Sequence, residues 1–181
     1  MWPKYLVIFL LFYLFAMLQN SFFAHFNLFG AVPNIVFILF FVLVFYCTRG
    51  RSTSGLEISF YAISAGLFLD FLSSTYFGVS IILLLIIGFF AKTAQSFLQE
   101  KRNDKFPIIY FLPLLLASLL AYDLLLGIFS NKFNLTQAFL GFGQTLLPEI
   151  IYNLLVAIEV LYFNRKLIKT NTEDHQLRLF G

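Results

Sequence analysis

Six long apolar runs follow one another along this 181-residue chain, and they constrain its fold more than any other feature. A helix crossing about 30 Å of hydrocarbon needs roughly 20 mostly apolar residues. The runs predict spans over 5–23, 31–47, 56–72, 75–91, 106–128 and 145–163. Gln19 and Asn20 interrupt the first near its end. The second opens at Pro33 and the sixth is entered through Pro148, positions where a missing amide donor is tolerated. No segment alternates polar and apolar residues as a barrel strand must. Composition agrees with this reading. The chain is 60% apolar and 12% charged, with 26 Phe. Soluble domains are about 45–50% apolar and about 25% charged. In water a chain of this size still has to cover its outside with polar groups. A soluble enzyme, a disordered chain and a nucleic-acid-binding domain are thereby excluded, and a polytopic membrane protein of the all-α class remains.

The cations set the orientation. No Lys or Arg lies between spans one and two, or between three and four. Arg49 and Arg51 separate spans two and three, and Lys92, Lys101, Arg102 and Lys105 separate four and five. Only Lys132 lies between five and six, while Arg165, Lys166, Lys169 and Arg178 fill the tail, 164–181. With Lys4, 11 of the 12 cations fall on one side of a six-span arrangement. Positive charge stays cytoplasmic, so both termini are expected inside. The net charge of +3 is therefore a topology signal and no nucleic-acid patch. The basic stretch Lys92 to Lys105 reads as an anchor at an anionic lipid surface.

The single cysteine, Cys47, permits no intrachain disulfide and reads as a small apolar residue. Lys4 followed by Tyr5 to Leu18 imitates a signal peptide. The small-residue cleavage pattern is missing, because Phe22 and Phe23 precede Ala24, so the segment reads as a retained helix. Phe22, Phe23, Phe26 and Phe29 have helix-like spacing beside His25 and Asn27. They form either a segment lying flat in the interface or an aromatic belt.

Ionisable groups inside spans are costly, at roughly 2.5–3.5 kcal/mol mid-helix, and so are functional suspects. Asp70, Asp123 and Glu149 gather toward the outer ends of spans three, five and six, and Glu159 lies nearer the inside. At 100° per residue, Ser59, Ala62, Gly66, Asp70 and Ser73 form one narrow stripe on span three. Small residues on one face admit a close helix neighbour. Glu149, Tyr152 and Asn153 share a face of span six. These residues serve either a polar site near the outer surface or interhelical hydrogen bonds that fix the bundle. Dinucleotide and P-loop glycine patterns are absent, and Gly78-Val79-Ser80 lacks the second glycine of a nucleophile elbow. His25 and His175 have no ligand partner at metal spacing, so no metal and no cofactor are expected.

Three short stretches carry a family resemblance: Leu18-Gln19-Asn20-Ser21, Val32-Pro33-Asn34, and Gly66-Leu67-Phe68-Leu69-Asp70-Phe71-Leu72-Ser73 leading to Gly78. With the topology, they resemble the bacterial rod shape-determining MreD family, whose best local marker is Gly-x-x-x-Asp followed by a glycine. Asn34 departs from the acidic residue many members carry there. The resemblance implies a non-enzymatic scaffold of the bacterial inner membrane, supporting lateral peptidoglycan synthesis and rod shape. Its implied partners are an MreC-like bitopic protein and, through it, an MreB-like actin homologue, a RodA-like glycosyltransferase and a class B penicillin-binding protein. It also implies a six-helix bundle similar to the substrate-binding subunits of energy-coupling-factor vitamin transporters, which are the alternative function. Those subunits typically dock through an Ala-x-x-x-Ala face in span one, where this chain has only Ala16. A third reading is a small intramembrane hydrolase built on a carboxylate pair such as Asp70 and Asp123. Packing or partner contact is expected at Ser59, Ala62, Gly66, Asp70, Ser73, Gly78, Glu149 and Asn153.

Overall fold

The structure, a computed structural model, describes residues 2–26, 31–47, 55–72, 76–100, 108–130, 134 and 148–160. Ser73, Asn27, Phe29, the cations at 49, 51, 101, 102, 105 and 132, and the tail lie outside them. Helix α1 runs Trp2–Leu18 and continues as a π-helical stretch over Gln19–Phe23. Next come α2 at Ile35–Cys47, α3 at Gly55–Leu72, α4 at Val79–Glu100 and α5 at Ile108–Ser130. A sixth helix, α6, covers 148–160. No strand element occurs among the described residues. Four stretches are long and apolar enough to cross a membrane: Pro3–Phe23, Gly55–Leu72, Val79–Phe97 and Tyr110–Ser130.

Helix α2 differs from the others. Its 13 residues rise about 20 Å, short of the roughly 30 Å hydrocarbon core. It is also the innermost helix, with Ile35 to Ile38, Phe40 to Val42, Val44 and Phe45 all buried. The apolar run predicted a helix from residue 31, yet the helix starts at Ile35. Asn34 explains the shift: its Oδ1 accepts from the Phe37 N–H at 3.1 Å, an N-cap that fixes the helix start one residue later. Helix α4 also departs from its expected span, 75–91. It begins after Gly78, whose φ of +97° ends the preceding turn. It then runs through Lys92 to Glu100, because no breaker follows the apolar run and Gln95 is buried, donating to the Phe45 carbonyl at 3.0 Å. Phe22 and Phe23 belong to the π-helical stretch that continues α1, and a turn follows over 24–26.

The contacts show that successive helices alternate in direction. Lys4, at the start of α1, pairs with Glu57, at the start of α3, at 3.2 Å. Gln19, at the end of α1, meets Val36, at the start of α2. The starts of α2 and α6 meet through Asn34 and Asn153. The core is largely aromatic. Phe37 packs on Tyr122 at 5.2 Å, and Phe41 and Phe45 pack on Phe111 at 5.4 and 4.9 Å. Without a hydrophobic effect between helices in lipid, such close packing holds the bundle. Helix α3 packs tightly on α4. A Cβ on Gly66 would lie 2.6 Å from the Ile81 Cα and 2.7 Å from its backbone N.

Candidate functional site

The polar side chains converge at the end of the bundle where α2, α4 and α6 begin, the end that the charge pattern predicts to be outer. Asp70 is 4% exposed in the last turn of α3. Its Oδ2 accepts from the Gly78 N–H at 2.7 Å and its Oδ1 from the Ser80 N–H at 2.9 Å. These are orphan amides of the α4 start, and a carboxylate there also faces the positive end of the helix dipole. Tyr122 of α5 donates to the Ser80 Oγ at 3.0 Å. One chain of hydrogen bonds thus joins α3, α4 and α5.

A second set of bonds closes the start of α2. Beyond Asn34's own cap, the Gln19 Oε1 accepts from the Val36 N–H at 3.2 Å. The Asn153 Oδ1 accepts from the Asn34 N–H at 2.7 Å. Three amide side chains, from α1, α6 and the cap itself, therefore hold amides that lipid could not satisfy. Asn153 is 1% exposed, and its Nδ2 has no hydrogen-bond partner among the described residues.

Between these two sets lies a cavity of about 210 Å³. Its polar lining is Gln19, Asn20, Asn34, Asp123 and Glu149, and its apolar lining includes Val36, Leu69, Leu72 and Leu126. Neither Asp123 nor Glu149 makes a hydrogen bond or ion pair with any described residue. No Lys, Arg or His lines the cavity among the described residues.

The structure places the sequence-predicted residues in different roles. Ala62, Gly66 and Asp70 are buried, and Gly66 and Asp70 face α4. Ser59 is half-buried and donates to the Gly55 carbonyl at 2.9 Å. Gly78 turns the chain into α4, Glu149 lines the cavity, and Asn153 caps α2. Asp70 does not line the cavity, so Asp123 shares it with Glu149 and not with Asp70. Glu159 is exposed. Sequence reasoning missed the capping roles of Gln19 and Asn34 and the Ser80–Tyr122 link. Gln19 carried a signal, as a polar residue inside an apolar run. Ser80 carried none. No three His, Cys, Asp or Glu side chains gather among the described residues.

A family model described as rod shape-determining protein MreD matches residues 4–170. Comparison with curated proteins and with solved structures gives no match.

Proposed function

The chain belongs to the MreD family of rod shape-determining proteins, and on that premise we propose that it acts as a non-enzymatic scaffold in the cytoplasmic membrane of an elongating bacterium. In this reading it spans the membrane six times with both termini inside. It holds the membrane helix of an MreC-like partner and so supports lateral wall synthesis by a RodA-like glycosyltransferase and a class B penicillin-binding protein. The family match carries the reading, and it favours a scaffold over a vitamin-binding subunit.

The structure supports a rigid docking body. Asp70, Ser80, Gln19, Asn34 and Asn153 hold helix starts inside the bundle. The outward side of α1 is apolar: among its described side chains Ile8, Phe12 and Ala16 are buried, and Leu6, Val7, Leu10, Leu14 and Met17 are exposed. In this proposal Ala62, Gly66, Asp70, Gly78 and Asn153 serve the partner indirectly, by packing.

Co-purification tests both parts. The full chain should retain an MreC-like partner in mild detergent. Gly66→Leu and Asp70→Leu should lose the partner only together with a lower melting temperature. Failure of the unaltered chain to retain the partner would refute the scaffold reading. A Gly66 or Asp70 variant that melts normally but loses the partner would show direct contact at the stripe and refute the indirect role.

A further inference from the structure

The polar cavity adjoins an apolar groove of about 220 Å³ between α1 and α3. The groove is lined by Tyr13, Ala16, Met17, Phe68 and Phe71, together with Leu72, which also lines the cavity. A carboxylate-lined chamber and an apolar groove thus both border on Leu72. We propose that the two together bind an amphiphile with a primary ammonium head. The head sits between Asp123 and Glu149, and the hydrocarbon lies along the groove.

The chemistry of the lining selects this class. Two neighbouring carboxyl groups with no hydrogen-bond or ion-pair partner among the described residues, and no described cation among the lining residues, favour a positive ligand over a phosphate or carboxylate. An ammonium group has three donors and no acceptor. Asp123 and Glu149 supply acceptors for it. Asn20 supplies a third, because its Nδ2 is already used on the Ala16 carbonyl at 3.1 Å, which leaves the Oδ1. Gln19 and Asn34 have their oxygens engaged by α2 amides, leaving their NH₂ groups for a ligand hydroxyl or ester oxygen. A quaternary ammonium wants an aromatic cage, whereas Tyr122 is the only aromatic residue lining the cavity among the described residues. The cavity, about 210 Å³, has room for an ethanolamine-sized head. The carboxylate-lined chamber takes no residue from the exposed apolar side of α1, whereas the groove shares Met17 with it, and the lipid test below needs no partner protein.

Native mass spectrometry of the full chain in detergent tests this, with phosphatidylethanolamine, phosphatidylcholine and phosphatidylglycerol of identical acyl chains. Phosphatidylethanolamine should be retained about tenfold over the other two, as expected when charge-assisted hydrogen bonds are made to one head alone. The double variant Asp123→Asn with Glu149→Gln should retain all three equally. Glu149→Gln alone should reduce the preference if the double variant does not fold. Met17→Trp, which fills the groove from a partly exposed position, should lower retention of every lipid. Free ethanolamine at millimolar concentration should leave the melting temperature unchanged. Equal retention of the three lipids by the unaltered chain would overturn the ammonium site. A preference that survives in the carboxylate variants would overturn its location. Full thermal protection by free ethanolamine would overturn the amphiphile and assign the cavity to a soluble amine.

Discussion

Asp70 shows how one side chain can be both the most suspicious residue in a sequence and a structural one. A carboxylate in an apolar helix invites a functional reading, yet both its oxygens accept amides from the start of α4. Asp70→Asn keeps one acceptor and turns an NH₂ toward an amide donor. It should cost about 1–3 kcal/mol, read as a lower melting temperature in detergent, and Asp70→Ala should cost at least as much. Gly66→Ala should destabilise by about 1–3 kcal/mol, because its new methyl meets the Ile81 backbone. Gly88→Ala is the comparison: there the new methyl meets side-chain atoms, the Ile58 Cγ2 at 2.8 Å and the Phe40 ring at 3.1 Å, and no backbone, so its loss should be smaller. The stripe itself was legible, since small residues at helical spacing have few other uses. What it packs against was not legible, because nothing in residues 59–73 names Ile81. The Asp123–Glu149 cavity was hidden for the same reason: the two carboxylates are far apart in sequence and meet only once α5 and α6 are placed.

At the scale of the helix, α2 carries the main lesson. Its apolar run reads as one more span, and in length and burial it is also the short central post of the bundle. A helix facing lipid must be long and can be ragged in its packing. A helix surrounded by protein can be short, provided other elements satisfy its ends. Asn34, Gln19 and Asn153 meet that condition. Gln19→Leu combined with Asn153→Leu should therefore fray the first turn of α2. Amide hydrogen exchange should rise about tenfold at Asn34 and Val36, as local opening becomes easier by about 1.4 kcal/mol. The start of α4, capped separately by Asp70, should stay protected. Equal loss at both helices would mean the two caps are one cooperative unit. The boundaries of α2 and α4 escaped the sequence because hydropathy reports what lipid tolerates, while Asn34, Gly78 and Gln95 set where the backbone starts, turns and continues.

For the whole molecule, the apolar runs made the all-helical class legible, and the cation pattern predicts an orientation that the alternating helix directions can accommodate. In a Cys47→Ser background, a cysteine at position 132 should react with a membrane-impermeant thiol reagent added outside intact cells, and one at position 101 should not. Labelling of both from the same side would refute the six-span arrangement. The Asp70 bonds also bear on how such a bundle is made. They reach only eight and ten residues along the chain, so the α3–α4 hairpin closes by local contacts, which form at little cost in loop entropy. A nascent chain entering the bilayer could thus have Asp70's charge compensated as soon as Ser80 follows it in. The pairing would be completed before α5 and α6 are synthesised, leaving a finished hairpin onto which the later helices assemble.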